Sequence, residues 1–196
     1  MATRSNALSE ISRFWLQERH NLLVRESIPV KLKRNNSDID FAVTTPRDSV
    51  TLLERITFKN AIVETKDERD FDSLGTDFAK RLRYDSTLLQ GNWIGTEASC
   101  NFSMLKEQHH NEAKKIFDGA DFSKIFIFHK LKTAGLEDLI ADLRGRDIHI
   151  VTSFEMLSDI ENWIKGSRPG AGIRNSLVGD ILDMLITYHK WGPHKD

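Results

Sequence analysis

Cysteine is almost missing from this chain: Cys100 is the only one in 196 residues. A lone thiol excludes a disulfide framework and a cysteine-based zinc site. It fits a reducing cytoplasm, where Cys100 reads as a small core residue rather than a nucleophile. Long apolar runs are missing as well. No stretch approaches the roughly 20 residues that a membrane-spanning helix needs, and Met1-Ala2-Thr3-Arg4-Ser5 has no apolar segment of the kind that opens a secretory signal. The expectation is a soluble, cytoplasmic protein with no membrane partner. An excess of charge of one sign is also lacking, since 28 Lys and Arg stand against 29 Asp and Glu for a net charge of −1. That excludes a globally basic nucleic-acid coat, so any contact with DNA must use local patches. The one glycine-rich segment, Lys165-Gly166-Ser167-Arg168-Pro169-Gly170-Ala171-Gly172, has neither the Gly-Lys-Ser/Thr ending of a phosphate-binding loop nor the dinucleotide fingerprint that follows a strand, and it reads as a linker. Internal repeats and low-complexity tracts are absent.

What is present is a hydrophobic content of 39%, enough for one domain with a real core. Residues 1–196 are read as that single domain, with 166–196 as a C-terminal helical extension. Apolar residues at Ala7, Leu8, Ile11, Phe14, Trp15, Leu22 and Leu23 recur near a helical period, which predicts an amphipathic helix from Ser5 to about Leu23. Ile28 to Lys33 alternates as an edge strand, because Pro29 cannot donate to a ladder, and Lys33-Arg34-Asn35-Asn36-Ser37 turns the chain back. Val50 to Ile56 is ambiguous between helix and strand. Further helices are predicted from Asp72 or Ser73 to about Leu89 and from about Ala98 to Phe117. The second of these carries His109-His110, read as surface imidazoles, because neighbours on a helix diverge by about a hundred degrees and cannot chelate one ion. Gln90 to Gly95 reads as a loop, with Trp93 as a buried anchor or a wedge against a base. Lys124–Phe128, a helix over Leu136–Leu143, Ile148–Val151 and a helix over Phe154–Ile164 form a strand-helix-strand crossover with parallel strands. A last helix, Asn175–Trp191, is core cover or a dimer surface.

The segment with chemical content runs from Asp38 to Lys66. Ser37-Asp38-Ile39-Asp40-Phe41-Ala42-Val43 alternates polar and apolar residues, and Ala61-Ile62-Val63-Glu64-Thr65-Lys66 ends an apolar run with opposite charges. As strands, the first puts Asp38 and Asp40 on one face and Ile39, Phe41 and Val43 on the other. The second points Glu64 and Lys66 the same way. If the two are neighbours in one sheet, carboxylates and an ammonium converge on one point, an arrangement able to hold a divalent cation beside a positive side chain. The alternative reading of the same side chains is a solvated sheet face with cross-strand ion pairs.

An aspartate leading an apolar strand, followed by Glu64-x-Lys66 closing the next, resembles the PD-(D/E)xK nuclease superfamily, although the usual proline before the aspartate is absent. The resemblance covers Ser5 to Leu89 by motif and the remainder by architecture. It implies an α/β, restriction-endonuclease-like mixed sheet, an antiparallel catalytic hairpin plus parallel strands, flanked by helices. It also implies a metal-dependent endonuclease hydrolysing DNA phosphodiester bonds. Asp40, Glu64 and the backbone carbonyl of Thr65 would hold Mg²⁺, with Mn²⁺ as a substitute, and Lys66 would position the water or stabilise the transition state. Glu10, or alternatively Glu18, would be the helix carboxylate that reaches the metal, while Arg34, Lys80 and Arg81 would meet phosphates. Cutting both strands of a duplex needs two such sites, hence an expected homodimer. Two readings compete. Asp38-x-Asp40 resembles the strand of polymerase-β-like nucleotidyltransferases, but their upstream Gly-Ser turn is replaced here by Val24-Arg25-Glu26-Ser27-Ile28. The other is a nucleic-acid-binding or assembly protein without turnover.

Overall fold

The computed structural model describes residues 7–32, 36–66, 75–94, 102–129, 131, 135–166, 178–179 and 181–182. The chain is mixed α/β. The opening helix α1 (Ala7–Phe14) runs into a π-helical turn, Trp15–Arg19, and then into β1 (Leu23–Lys31) and β2 (Asn36–Thr44). A small hairpin of β3 (Val50–Leu52) and β4 (Ile56–Phe58) precedes β5 (Asn60–Lys66) and the helix α2 (Gly75–Thr87). A second hairpin, β6 (Leu89–Gln90) and β7 (Trp93–Ile94), leads to a 3-10 turn, Ser103–Leu105, and α3 (Glu107–Ile116). The chain continues through β8 (Ser123–Phe128), α4 (Glu137–Gly145), β9 (Ile148–Thr152) and α5 (Ser153–Gly166).

One five-stranded sheet, in the order β1-β2-β5-β8-β9, organises the molecule. β1, β2 and β5 pair antiparallel, and β5, β8 and β9 pair parallel. The central strands are apolar on both sides because both faces are covered. Ile62, Phe126, Phe128, Ile148 and Ile150 form one core with Leu82 of α2, Leu105, Ala113 of α3 and Leu143 of α4. Ala61, Val63, Ile125, Ile127 and Val151 form the other with Leu8 of α1, Trp15, the Leu52 and Ile56 hairpin, and Met156 and Ile160 of α5. Pro29 sits on the edge strand, opposite Asp38, where its missing N–H breaks no inner ladder.

Several sequence expectations are corrected. The first helix stops at Arg19, not Leu23: Asn21 takes a left-handed φ of 53° and Leu23 already belongs to β1. Its last turn widens, with His20 N–H donating to the Trp15 carbonyl at 3.2 Å, and Trp15 and Leu16 are both fully buried. The ambiguous Val50–Ile56 stretch is a hairpin, with Leu53 and Glu54 at positive φ in its turn. Helix α2 ends at Thr87, and Leu89 starts a strand. The long helix expected up to Phe117 is a 3-10 turn and a short helix, parted at Lys106, whose ψ of 148° is extended. Alternation along β2 also breaks. Ile39 and Ala42 pack in one core while Phe41 and Val43 pack in the other, and the β1–β2 pairing skips Ser27 and Asp40, where Ser27 has a φ of 50°. The expectation that Ile39 shares a face with Phe41 and Val43 therefore fails at Asp40. The glycine-rich segment from 167 onward, Cys100, and all but 178–179 and 181–182 of the last predicted helix lie outside the described residues.

Candidate functional site

The strands bearing Asp40 and Glu64 are neighbours, and their pairing ends where the acidic residues begin. The β2–β5 ladder runs from Thr44↔Asn60 to Phe41↔Val63, so the same register carried one step further would face Asp40 with Glu64. β5 keeps its parallel pairing with β8 as far as Lys66↔Phe128. At the opening, the Asp40 carboxylate takes the place of a strand carbonyl. Its Oδ2 accepts the Thr65 N–H at 2.7 Å and the Thr65 hydroxyl at 2.9 Å. Since the Thr65 proton is committed to Asp40, Ser9 of α1 is the donor in the 3.1 Å contact between the two hydroxyls. Within a strand, a residue's N–H and C=O point to the same side, so the Thr65 carbonyl also faces the opening. Burial raises the Asp40 carboxyl above its ordinary value; the Thr65 hydrogen bonds oppose that rise, and the like charges of Glu64 and Asp38 add to it.

Glu64 and Lys66 continue the face of β5 that Ile62 commits to the core. Glu64 is 8% exposed, and a carboxylate so buried needs partners. It has them. Oε1 accepts the Lys66 ammonium in an ion pair and the Ser103 hydroxyl at 3.0 Å, and Oε2 accepts the Met104 N–H at 3.1 Å. No spacing in the sequence ties the 3-10 turn of Ser103 and Met104 to a strand 39 residues earlier, so only the fold brings these two residues to Glu64. Nearby, His109 of α3 shares a 3.1 Å hydrogen bond with Ser37 of β2.

Glu10 lies one position past Ser9, and its carboxylate accepts from Arg13 at 2.9 Å, while Arg13 also reaches Glu26 of β1 at 3.7 Å. Glu18 is exposed in the π-helical turn. Asp38 is exposed on β2, and Arg81 is exposed on α2. Arg34 and the side chain of Lys80 lie outside the described residues. His109 and His110 are not surface imidazoles. His109 is 1% exposed, and His110 packs its ring 5.8 Å from Trp93 and 5.1 Å from Phe122, which makes Trp93 an anchor. Burial lowers both imidazoles, His110 to about 4.

Among the described residues, no group of three or more His, Cys, Asp and Glu gathers in one place. The opening instead offers two carboxylates and a carbonyl, all hard oxygens, with Asp40 Oδ1 taking no hydrogen bond among the described residues. That donor set fits a small divalent cation that keeps several of its waters, and the Lys66 ammonium is the partner of Glu64 that such a cation would replace. Fold and site together define a mixed α/β protein whose antiparallel strands part over an acid-acid-lysine cluster. No family model matches the chain, and neither a curated protein nor a solved structure matches it.

Proposed function

We propose that the protein is a metal-dependent endonuclease with a restriction-endonuclease-like fold, hydrolysing phosphodiester bonds in DNA. The observation that carries this reading is the end of the β2–β5 ladder, where Asp40 of β2 is bonded to Thr65 and, on either side of Thr65 along β5, Lys66 is paired with Glu64. The order of the sheet, an antiparallel β1–β2–β5 unit joined to the parallel β5–β8–β9 unit, agrees with the architecture that the motif implies. Asp40, Glu64 and the Thr65 carbonyl would hold Mg²⁺ or Mn²⁺. Bound there, the ion would supply Lewis-acid polarisation of the phosphate and a more acidic water. Lys66, released from Glu64, then places a positive charge where the phosphate oxygens gain negative charge in the transition state. A cytoplasmic setting suits the single cysteine. A homodimer would supply the second site needed for a double-strand cut.

The test is incubation of the full chain with single-stranded, duplex and branched DNA in Mg²⁺, in chelator, and with Lys66→Ala. Cleavage that needs Mg²⁺ and Lys66 is expected on at least one substrate. Activity that instead needs a nucleoside triphosphate together with both Asp38 and Asp40 would point to nucleotidyl transfer. Binding that is unchanged in chelator, with no cleavage, would point to a protein without turnover.

A further inference from the structure

We infer that the 3-10 turn Ser103–Leu105 is a positioning device for the acidic site, with Ser103 as the side chain that orients Glu64 for a cation; this rests on reading Glu64 as a metal ligand. The turn touches both ends of the carboxylate: the Ser103 hydroxyl donates to Oε1 at 3.0 Å and the Met104 N–H donates to Oε2 at 3.1 Å. Two donors on two oxygens fix the plane of the group as well as its place, which a single contact cannot do. The turn itself is stiff. Leu105 N–H donates to the Phe102 carbonyl and Lys106 N–H to the Ser103 carbonyl, each at 3.0 Å, and Met104 and Leu105 are buried at 2% and 0% exposure. α3 follows directly and is tied to β2 through His109 and Ser37.

The third partner of Glu64 is of a different kind. Lys66 reaches it on a flexible four-carbon stem from the neighbouring position on the same face, so an arriving cation displaces the ammonium while the turn stays. Each oxygen of Glu64 then keeps one fixed donor and a free lone pair. Asp40 is held through one oxygen, Oδ2, which accepts both the main-chain N–H and the hydroxyl of Thr65. Both carboxylates are thus oriented before any ion arrives, as outer-shell partners of metal ligands do elsewhere.

Mn²⁺ binding to the full chain without DNA, followed by electron paramagnetic resonance and by calorimetry, tests the inference independently of turnover. Ser103→Ala is expected to weaken Mn²⁺ by about 10- to 100-fold. Ser103→Thr, which restores a hydroxyl, should recover most of that loss, and Ser103→Cys, a weaker donor, should fall between. If Ser103→Ala fails to fold, as judged by near-ultraviolet circular dichroism, the Thr and Cys variants carry the same ranking. Equal affinity in wild type, Ala and Cys variants overturns the role of Ser103 and leaves the metal reading standing. Wild-type protein that binds no Mn²⁺, or binds it unchanged after Asp40→Asn, overturns both.

Discussion

Lys66 is held in an ion pair with the carboxylate it would have to leave for catalysis, and that pairing makes its replacement informative. The pair is 18% and 11% exposed at its two side chains, so removing the ammonium leaves Glu64 with the Ser103 and Met104 donors and without a countercharge. Lys66→Ala is expected to lower cleavage at least a hundredfold, the size typical of losing one preorganised charge or donor at a developing anion. Its circular dichroism spectrum should stay close to the parent, and its DNA affinity should fall by about fivefold at most, the worth of one charge at this opening. Cleavage at the parental rate would remove Lys66 from the reaction. Asp40→Asn probes the other strand with less disturbance, because the amide oxygen still accepts the Thr65 N–H and hydroxyl. Metal-dependent cleavage should fall by a similar factor while the midpoint of urea unfolding moves little. Thr65→Val separates the two roles: it deletes one hydroxyl donor to Asp40 and should cost about 1 kcal/mol of stability.

At the level of elements, the π-helical turn and α5 are joined through one acid. Asp159 accepts from Trp15 Nε1 at 2.8 Å, Arg19 at 3.1 Å and His20 at 2.9 Å, and its side chain is 17% exposed. Asp159→Ala strands a buried indole N–H and two basic groups, and about 3 kcal/mol of stability should be lost in urea denaturation. The end of the π-helical turn and α3 together predict a pH response. Burial lowers His20, His109 and His110, the last to about 4 from an ordinary value of 6.5. The unfolded chain binds those protons first, so stability is full above about pH 6.5 and is lost as pH falls toward about 4. Asp159 and Glu155 are held low by their hydrogen bonds and basic partners, and they add a further loss in more acid solution. The melting temperature should therefore fall from pH 7 to pH 4.5. His110→Phe, between Trp93 and Phe122, should flatten that slope; an unchanged slope would clear His110 of responsibility. These same elements mark how far sequence reasoning reaches. Asp40, Glu64 and Lys66 are legible as strand residues because alternation and β-rich composition are local signals, whereas the adjacency of their strands is only a condition of the sequence reading, since the β3–β4 hairpin lies between them. The halves of the Phe102–Phe117 stretch are not legible, because helical spacing of Phe102, Leu105 and Ala113 is equally well met by a turn that gives up helix hydrogen bonds to reach Glu64. Buried His109 is bonded to Ser37, across a distance in sequence that no pattern spans.

Seen as a whole, the molecule brings little general attraction to a polyanion. Its net charge is −1, and the opening between β2 and β5 presents Asp40 and Glu64 with exposed Asp38 beside them, while the Lys66 ammonium is already paired to Glu64. A phosphate approaching that opening meets the repulsion of these carboxylates, so DNA binding in chelator should be weak. Two routes relieve the repulsion. A hard divalent cation neutralises the carboxylates directly, and Ca²⁺ takes the same oxygen ligands as Mg²⁺ in a binding assay. Asp40→Asn removes one charge without any ion. At the separations of a ligand and its neighbouring phosphate, each neutralised charge is worth about 1 kcal/mol, roughly fivefold in Kd. Fluorescence anisotropy with a labelled duplex should therefore show wild-type affinity rising when Ca²⁺ replaces chelator. The Asp40→Asn variant should already bind more tightly in chelator and should gain less from the ion. If the two proteins bind alike in chelator and neither responds to Ca²⁺, DNA does not approach this opening, and the acid-acid-lysine cluster has to be explained as an internal brace of the sheet.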